Sequence, residues 1–246
     1  MRTSNLARRS ELLEQLFPVL PVAAYELRGS ANPMMLLPEE AAACGTFRAK
    51  RLEEFAAGRL CARGALSELG HEGYALRRNA DGTPNWPEGI IGSITHTIGF
   101  CGAIAGSSER FAGLGIDAEI VCRVTPDVWL QALTRDDITR ISGLTWAERE
   151  RAAAIIFSAK EAFYKCQSCV TGAWLDYSDV SVELIPESPG LGTFLVRSAT
   201  ATARSVIADF VARGRYRIAG ALVFAGVELL QDDAKELKRP PLRSAS

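Results

Sequence analysis

The sequence predicts an α+β protein with two lobes, each a small sheet packed on helices. Residues 39–70 are rich in Ala, Leu, Glu and Arg and end at Gly70, as a helix and its C-cap would. Apolar runs typical of strands follow over residues 92–121. The same order returns when a polar helical pattern over residues 134–169 is followed by the strand-like segments VSVELI, GTFLVRSAT and YRIAGALVFAGVELL. Helix followed by strands in each half predicts two lobes, with a boundary near residues 107–112.

The elements of the first half follow from local pattern. Residues 39–70 predict one long helix or two shorter helices. The segment RRNADGTPNWPEG is predicted to be an irregular loop, because Asp81-Gly82, Pro84 and Pro87 disfavour regular structure, and a loop of this length is usually functional. GSITHTIGFCGAIAG then predicts a strand, a turn and a second apolar run, and LGIDAEIV predicts the next strand.

These patterns divide the chain into three parts. Residues 1–110 are the predicted N-terminal lobe and residues 111–230 the predicted C-terminal lobe. Residues 231–246 are charged and contain proline, which predicts a flexible tail.

Composition excludes several classes of protein. The chain has 246 residues, 48% of them hydrophobic and 23% charged, which excludes a mainly disordered protein. A net charge of −1 argues against nucleic acid as a partner, since such binders usually carry a large basic excess. Prolines interrupt the N-terminal apolar patch LFPVLPVAAY, and no run is long enough to cross a membrane, so a cytoplasmic protein without a membrane partner is predicted.

The six cysteines are scattered, which predicts reduced thiols. Cys166 and Cys169 form one CxxC, but no second pair stands at zinc-site spacing. They are therefore interpreted as small residues on a helix.

Two acids interrupt the apolar strand LGIDAEIV. Because side chains alternate along a strand, Asp117 and Glu119 should point from the same face. If that face were exposed, the acids would need no partner. If it were buried, a hard divalent cation would relieve both the desolvation and the repulsion of the two carboxylates.

The segment FSAKEAFYKC supplies a third acid. On a helix, Phe157, Glu161 and Tyr164 share one stripe, so Glu161 stands where an apolar residue is usual. The simpler interpretation is an i,i+4 salt bridge from Glu161 to Lys165. Taken with the two strand acids, a third acid flanked by Lys160 and Lys165 instead predicts a site that holds a cation, such as magnesium, and an anion together.

Further residues upstream are suited to anions. On a helix Arg51, Arg59 and Arg63 fall within an arc of roughly 120°, where they either grip phosphate or form a solvated basic face. Thr95 and His96 lie in the strand-like GSITHT, where a lone histidine is more often a core residue than a functional one.

Four motifs in order carry a family resemblance: FxxGRxCARxAL (Phe55–Leu66), WPxGxxGSxTH (Trp86–His96), GIDAE (Gly115–Glu119) and FSxKEAxYK (Phe157–Lys165). The sequence resembles the 4′-phosphopantetheinyl transferases, in particular the enterobactin-synthase component D branch, a relative of the surfactin-synthetase activating enzymes. The resemblance implies a monomer of two pseudo-symmetric α+β lobes. It also implies that the phosphopantetheine arm of coenzyme A is moved to a serine of an acyl, aryl or peptidyl carrier protein, releasing adenosine 3′,5′-bisphosphate.

The resemblance also implies residue roles. Asp117, Glu119 and Glu161 match the metal positions, with magnesium, or manganese in its place, as cofactor, and Glu161 is the candidate acceptor of the serine proton. Lys160 and Lys165 match positions that stabilise the phosphates. The nucleotide's phosphates are assigned to Thr95 and His96, and its 3′-phosphate end to Arg51, Arg59 and Arg63. The loop before Trp86 lacks the family's usual basic residue next to its glycine, so Arg77 or Arg78 is the candidate for that contact.

Two other functions remain open at this point. A magnesium-dependent phosphodiesterase or nucleotide hydrolase would use the same acids with water as the nucleophile. A catalytically silent binder of carrier domains is the third hypothesis, and the presence of all three acids and both lysines argues against it.

Overall fold

The computed structural model describes residues 6–19 and 21–237. The chain divides into two units between Arg110 and Phe111. Among the described residues, none of the helices is both long and apolar enough to cross a membrane.

The first unit is built on a four-stranded antiparallel sheet with the strand order β1-β2-β4-β3. Its strands are β1 (Arg8–Arg9), β2 (Ala23–Arg28), β3 (Ile90–Thr97) and β4 (Phe100–Ser107). Its helices are α1 (Glu11–Glu14), α2 (Pro38–Ala41) and α3 (Ala49–Glu68), with 3₁₀ turns at Pro33–Met35 and Ala42–Cys44. The small side chains of α3 pack against β2 and β4, which places the core between that helix and the sheet.

The predictions for the first half hold in outline. The helical segment is two helices rather than one, because a 3₁₀ turn and a short link separate α2 from α3. Gly70 follows α3 with φ +86°, a conformation that glycine adopts without a Cβ penalty. The predicted loop over residues 77–89 is irregular apart from one bridge, Arg78 to Pro84. The sequence patterns did not predict β1 or β2. The strand β2 begins at Ala23, inside the apolar patch LFPVLPVAAY, where Pro18 and Pro21 disfavour regular structure just before it.

The second unit carries a five-stranded antiparallel sheet with the order β5-β9-β8-β7-β6. Its strands are β5 (Phe111–Ile120), β6 (Val180–Ser188), β7 (Leu191–Ser198), β8 (Ala212–Ala219) and β9 (Leu222–Leu230). Its helices are α4 (Pro126–Ala132), α5 (Arg135–Ile141), α6 (Trp146–Thr171), α7 (Ala201–Ile207) and α8 (Gln231–Leu237), with 3₁₀ turns at Val121–Arg123 and Tyr177–Asp179. The long helix α6 lies against β5 and β9.

Several boundaries in the second half differ from the sequence reading. The pattern over residues 134–169 is two helices, because Thr145 caps a new helix through a capping box with Glu148. At its other end, Gly172 closes α6 in the left-handed conformation, with φ +64°. YRIAGALVFAGVELL is a hairpin of two strands that turns at Gly220.

The predicted flexible tail over residues 231–246 is described only in its first part. Its first residues form α8, and residues 238–246 lie outside the described residues. The CxxC lies on α6, with Cys166 buried and Cys169 exposed, and all six cysteines are free thiols. The predicted α+β class, with a small sheet packed on helices in each half, is confirmed.

Candidate active site

The strand β5 and the helix α6 approach each other closely, because the residues at their crossing have little or no side chain. A Cβ built on Gly115 would stand 1.9 Å from the Ala162 carbonyl oxygen, and one on Gly113 would stand 2.5 Å from the Cys166 oxygen. Real Cβ atoms do not come this close to backbone, so only glycine fits here at this spacing. The glycine of GIDAE therefore brings the two acid-bearing elements together.

Asp117 lies buried at this crossing, with 4% of its surface exposed. The Lys165 ammonium donates to its Oδ1 at 2.8 Å, and the Ser158 hydroxyl donates to its Oδ2 at 3.0 Å. Lys165 also donates to the Ile116 carbonyl at 3.0 Å. The simpler expectation, an exposed strand face, is wrong for Asp117, and Lys165 pairs across to β5 instead of forming the i,i+4 bridge with Glu161.

Glu119 is half-buried on the same strand. Burial is the main cause that raises the pKa of its carboxyl to about 7, and the charge of Asp117 is the next. The charge of Glu161 raises it further, while Lys165 opposes the shift. The carboxylates of Asp117 and Glu161 are therefore near enough to Glu119 to raise its pKa.

Glu161 accepts a hydrogen bond from the Tyr177 hydroxyl at its Oε1. The pKa of that phenol is raised, first by burial, then by this hydrogen bond and by the charges of Glu161, Asp117 and Glu119. Sequence reasoning missed Tyr177, which lies in the 3₁₀ turn after α6 and in none of the motifs. It also missed Ser158, although i+3 and i+7 spacing places it on one helical face with Glu161 and Lys165.

The donor set has the chemistry that a hard cation prefers, since all three side chains offer carboxylate oxygens. A divalent ion would lower the cost of burying them together, the cost that raises the Glu119 pKa. Within residues 6–19 and 21–237, however, no three acidic, cysteine or histidine side chains are already grouped so as to hold a metal ion. Lys165 occupies one carboxylate and Tyr177 another, so the acids fit a cation by chemistry rather than by present arrangement.

Lys160 lies in a different place from the predicted phosphate contact. Its ammonium is fully buried and ion-paired with Asp137 at 2.8 Å, and it donates to the Ala132 and Tyr177 carbonyls, both at 2.8 Å. Burial lowers the pKa of Lys160, and the charge of Asp137 opposes that change. Because an ammonium has three hydrogens and all three meet an acceptor here, none is directed at a ligand.

A cavity of about 220 Å³ lies beside Glu161 and Lys165. Its wall is formed by the end of α6 and the segment that follows the helix. Trp174 belongs to that wall and has 92% of its surface exposed. The cavity therefore joins the acid and lysine of α6 to an exposed aromatic side chain.

The predicted nucleotide contacts of the first unit do not all meet. The Nη1 atom of Arg51 lies 2.8 Å from Nε2 of His96, and the Arg51 side chain is 49% exposed. Since a guanidinium only donates, Nε2 of His96 is the acceptor in this contact. Thr95 is buried on the neighbouring position of β3.

Arg59 and Arg63 have partners inside the first unit. Arg59 donates to the Leu76 carbonyl at 2.7 Å and stacks 4.0 Å over the Phe55 ring, and burial lowers its pKa to about 10. Arg63 pairs with the buried Glu40 at 2.5 Å and donates to the Met35 carbonyl at 2.7 Å. Arg51 and His96 therefore lie together, whereas Arg59 and Arg63 bind α3 to neighbouring segments of the first unit.

The loop candidate Arg78 also contacts its own loop. Its Nε donates to the Gly82 carbonyl at 3.2 Å, and its guanidinium lies 5.9 Å from the Phe47 ring centroid.

Two family models match consecutive parts of the chain. Residues 39–106 match the 4′-phosphopantetheinyl transferase N-terminal domain, and residues 113–221 match the 4′-phosphopantetheinyl transferase superfamily. The chain belongs to this superfamily. The two matches include every motif on which the resemblance rests, and the superfamily predicted from those motifs is confirmed.

Curated relatives agree with this assignment. The chain is 37% identical to the 4′-phosphopantetheinyl transferase Svp of Streptomyces mobaraensis over 66% of its own length and 65% of that protein. It is 32% identical to the transferase PptT of Mycobacterium tuberculosis (strain ATCC 25618 / H37Rv), over 86% of the chain and 96% of the relative. It is 31% identical to the 4′-phosphopantetheinyl transferase Npt of Nocardia iowensis, over 72% of the chain and 82% of the relative. These names support the function that the motifs predicted; they do not distinguish the branch within the superfamily.

Proposed function

We propose that this member of the superfamily transfers the 4′-phosphopantetheine group from coenzyme A to a serine of an apo acyl, aryl or peptidyl carrier protein. The observation that carries the proposal is the meeting of Asp117, Glu119, Glu161 and Lys165 where α6 crosses β5, within the segment that matches the superfamily. Such a group combines a proton acceptor with an ammonium that can neutralise phosphate charge, and attack on a diphosphate requires both.

The reaction forms one bond and breaks one. The serine oxygen attacks the phosphorus that carries the pantetheine arm, and the bond from that phosphorus to the bridging oxygen breaks. Adenosine 3′,5′-bisphosphate leaves with the electron pair of that bond. Glu161 accepts the serine proton, since its carboxylate borders the cavity and is held by Tyr177.

Lys165 is the cation of this chain that we assign to the diphosphate. It is 31% exposed and borders the same cavity, whereas Lys160 has no exposed surface. An ammonium that now neutralises Asp117 has the charge to neutralise a phosphate oxygen of the substrate.

The proposal includes magnesium, with manganese as the alternative, held by Asp117, Glu119 and Glu161. When bound, the ion would neutralise charge on the diphosphate. The half-exposed Arg51 and its neighbour His96 are the proposed contacts of the nucleotide end of coenzyme A. Arg59, Arg63 and Thr95 are buried or already paired and are proposed to support this pair.

Mass spectrometry tests the proposal directly. An apo carrier protein incubated with the chain, coenzyme A and magnesium should gain one phosphopantetheine group, and adenosine 3′,5′-bisphosphate should appear in equal amount. Acyl, aryl and peptidyl carriers should be tried in parallel, with a serine-to-alanine carrier as the matched control.

The same experiment separates the other functions. A hydrolase would release nucleotide with unmodified carrier and would do so without any carrier present. A silent binder would leave both carrier and coenzyme A unchanged. The proposal also takes the chain to act as a cytoplasmic monomer, which sedimentation of the purified protein and fractionation of cells would test.

A further inference from the structure

We propose that Tyr177 is a positioning residue for Glu161. The inference rests on the proposed function, in which the Glu161 carboxylate accepts the serine proton. The Tyr177 hydroxyl fixes the orientation of that carboxylate through the hydrogen bond to Oε1.

A glutamate in this place needs an external restraint. Glu161 is only partly buried and borders the cavity, so its side chain has room to turn. A hydrogen bond from a phenol to one carboxylate oxygen selects one orientation and leaves the other oxygen available for a proton. Efficient proton transfer depends on such placement, because small displacements of a catalytic group reduce the rate steeply.

Tyr177 is itself fixed by several contacts. Its backbone N–H donates to the Asp176 carboxylate at 2.6 Å, and its carbonyl accepts from Lys160 at 2.8 Å. Its ring lies 5.6 Å from the Phe157 ring and 5.7 Å from the Tyr164 ring, centroid to centroid. Both the backbone and the ring are therefore held, and the hydroxyl has a defined position.

The anchor of this arrangement is the buried pair of Lys160 and Asp137. Asp137 accepts from the Val182 N–H at 2.7 Å through Oδ1, while its Oδ2 lies 2.8 Å from the lysine. Lys160 directly precedes Glu161 in the chain. The same ammonium thus ties the turn that carries Tyr177 to the helix position next to Glu161, which sets the distance between donor and acceptor.

Replacing the phenol with a phenyl ring separates positioning from packing. Tyr177→Phe keeps the ring contacts and removes the donor alone. Tyr216→Phe is the matched control, because Tyr216 is a buried tyrosine of the same unit that belongs neither to the cavity wall nor to the proposed site.

The first measurement is independent of activity. In protein labelled with ¹³Cζ tyrosine, the Tyr177 signal is assigned by its loss in Tyr177→Phe. Glu161→Ala should shift that signal, since the hydrogen bond to the carboxylate is removed. An unshifted signal would overturn the proposal.

The second measurement is steady-state transfer to a carrier that the parent protein modifies. Tyr177→Phe should lower kcat about tenfold and leave the KM for coenzyme A within about twofold, as loss of orientation in the transition state predicts. Tyr216→Phe should match the parent. A Tyr177→Phe variant with parental kcat would refute the positioning role while leaving the transferase function intact. A parent that modifies no carrier would instead refute the proposed function.

Discussion

Two lysines of the helix α6 each form an ion pair with an aspartate of another element, and the two pairs have different surroundings. Lys160 and Asp137 are both 0% exposed, and every hydrogen of the ammonium meets an acceptor. Lys165 is 31% exposed and joins Asp117 beside a cavity. A motif that reads as two equivalent lysines therefore contains one cation that organises the fold and one that is accessible to a ligand.

Burial, rather than residue type, separates the roles of the two lysines. Burying a charge pair is costly unless its remaining hydrogen bonds are met, and breaking such a pair leaves one uncompensated charge. In the pair of Lys165 and Asp117 the aspartate is buried but the lysine is 31% exposed, so the ammonium can exchange its partner for a substrate at a smaller cost than Lys160 could. The variants below test whether this separation holds, beginning with the acid that stands between the two lysines.

Glu161→Gln should have the largest effect on transfer. Losing the proton acceptor should reduce the rate by roughly 10³-fold, within the usual range for general bases. The near-isosteric amide should leave the melting temperature close to the parent value. A discontinuous transfer assay and a thermal melt on the same preparation provide the check. Transfer at the parental rate would remove Glu161 from the mechanism.

Lys160→Met should mainly reduce stability. The loss of its partner leaves Asp137 charged and buried, which costs about 3–5 kcal/mol. Urea unfolding followed by circular dichroism measures this loss. The double variant Lys160→Met, Asp137→Asn is the control and should recover part of the stability. If the single variant unfolded at the parental urea concentration, the structural role of the pair would be refuted.

Lys165→Met should show the opposite profile. We expect transfer to fall about 100-fold, because one charge on the diphosphate is no longer neutralised. Stability should fall by less than in Lys160→Met, because Lys165 is itself 31% exposed and Ser158 still donates to the buried Asp117. The same two assays apply. Equal losses of stability for Lys165→Met and Lys160→Met would break the contrast between the two pairs.

The contrast extends to the arginines of α3. Arg51→Ala should raise the KM for coenzyme A about tenfold, the size expected for one phosphate contact, without changing the melting temperature. Arg59→Ala should instead lower the melting temperature, since it removes the hydrogen bond to Leu76 and the stack on Phe55. A titration of coenzyme A by calorimetry and a thermal melt distinguish them. If Arg59→Ala kept the parental melting temperature but bound coenzyme A weakly, Arg59 would be a ligand contact rather than a structural residue.

Glu119 should produce the smallest effect, a dependence of stability on pH. Its pKa is raised to about 7 in the folded protein, so the native state binds this proton more tightly than the unfolded chain. Stability therefore falls as the pH rises from about 4.5 to about 7. The full shift corresponds to about 3 kcal/mol, and solvent screening of the half-buried carboxylate reduces the expected loss to about 1–2 kcal/mol. Urea unfolding with a chelator present measures it, and Glu119→Gln should reduce the dependence. The assigned pKa of Glu119 would be contradicted if, over this pH interval, the stability of the parent rose by more than the stability of Glu119→Gln.

Much of the site could be predicted because its motifs are local. Asp117 and Glu119 follow from strand alternation, and Glu161 and Lys165 from helical spacing, so their elements could be placed without long-range contacts. The family resemblance then linked the strand to the helix. The helix that carries Glu161 and Lys165 lies where the pattern over residues 134–169 predicts helix. Periodicity alone does not show that this helix begins after Thr145, which forms a capping box with Glu148.

The residues that were missed or misplaced depend on contacts between distant segments. Nothing in the spacing of Lys160 and Lys165 reveals that Asp137, 23 positions before Lys160, buries one of them. The hydrogen bond from Tyr177 to Glu161 likewise requires the chain to turn back after α6. Arg59 and Arg63 share a helical arc, as predicted, yet Leu76 and Glu40 engage them from elsewhere in the first unit.

The close contact at Gly115 limits which substitutions the site can accept. The distance between β5 and α6 is set by a residue that has no side chain, because a Cβ there would meet the Ala162 oxygen at 1.9 Å. One added methyl group would push the helix outward and carry Lys165 away from Asp117. Replacing one acid or the lysine changes the chemistry of the site but not the spacing of its elements, whereas a side chain at Gly115 would change that spacing.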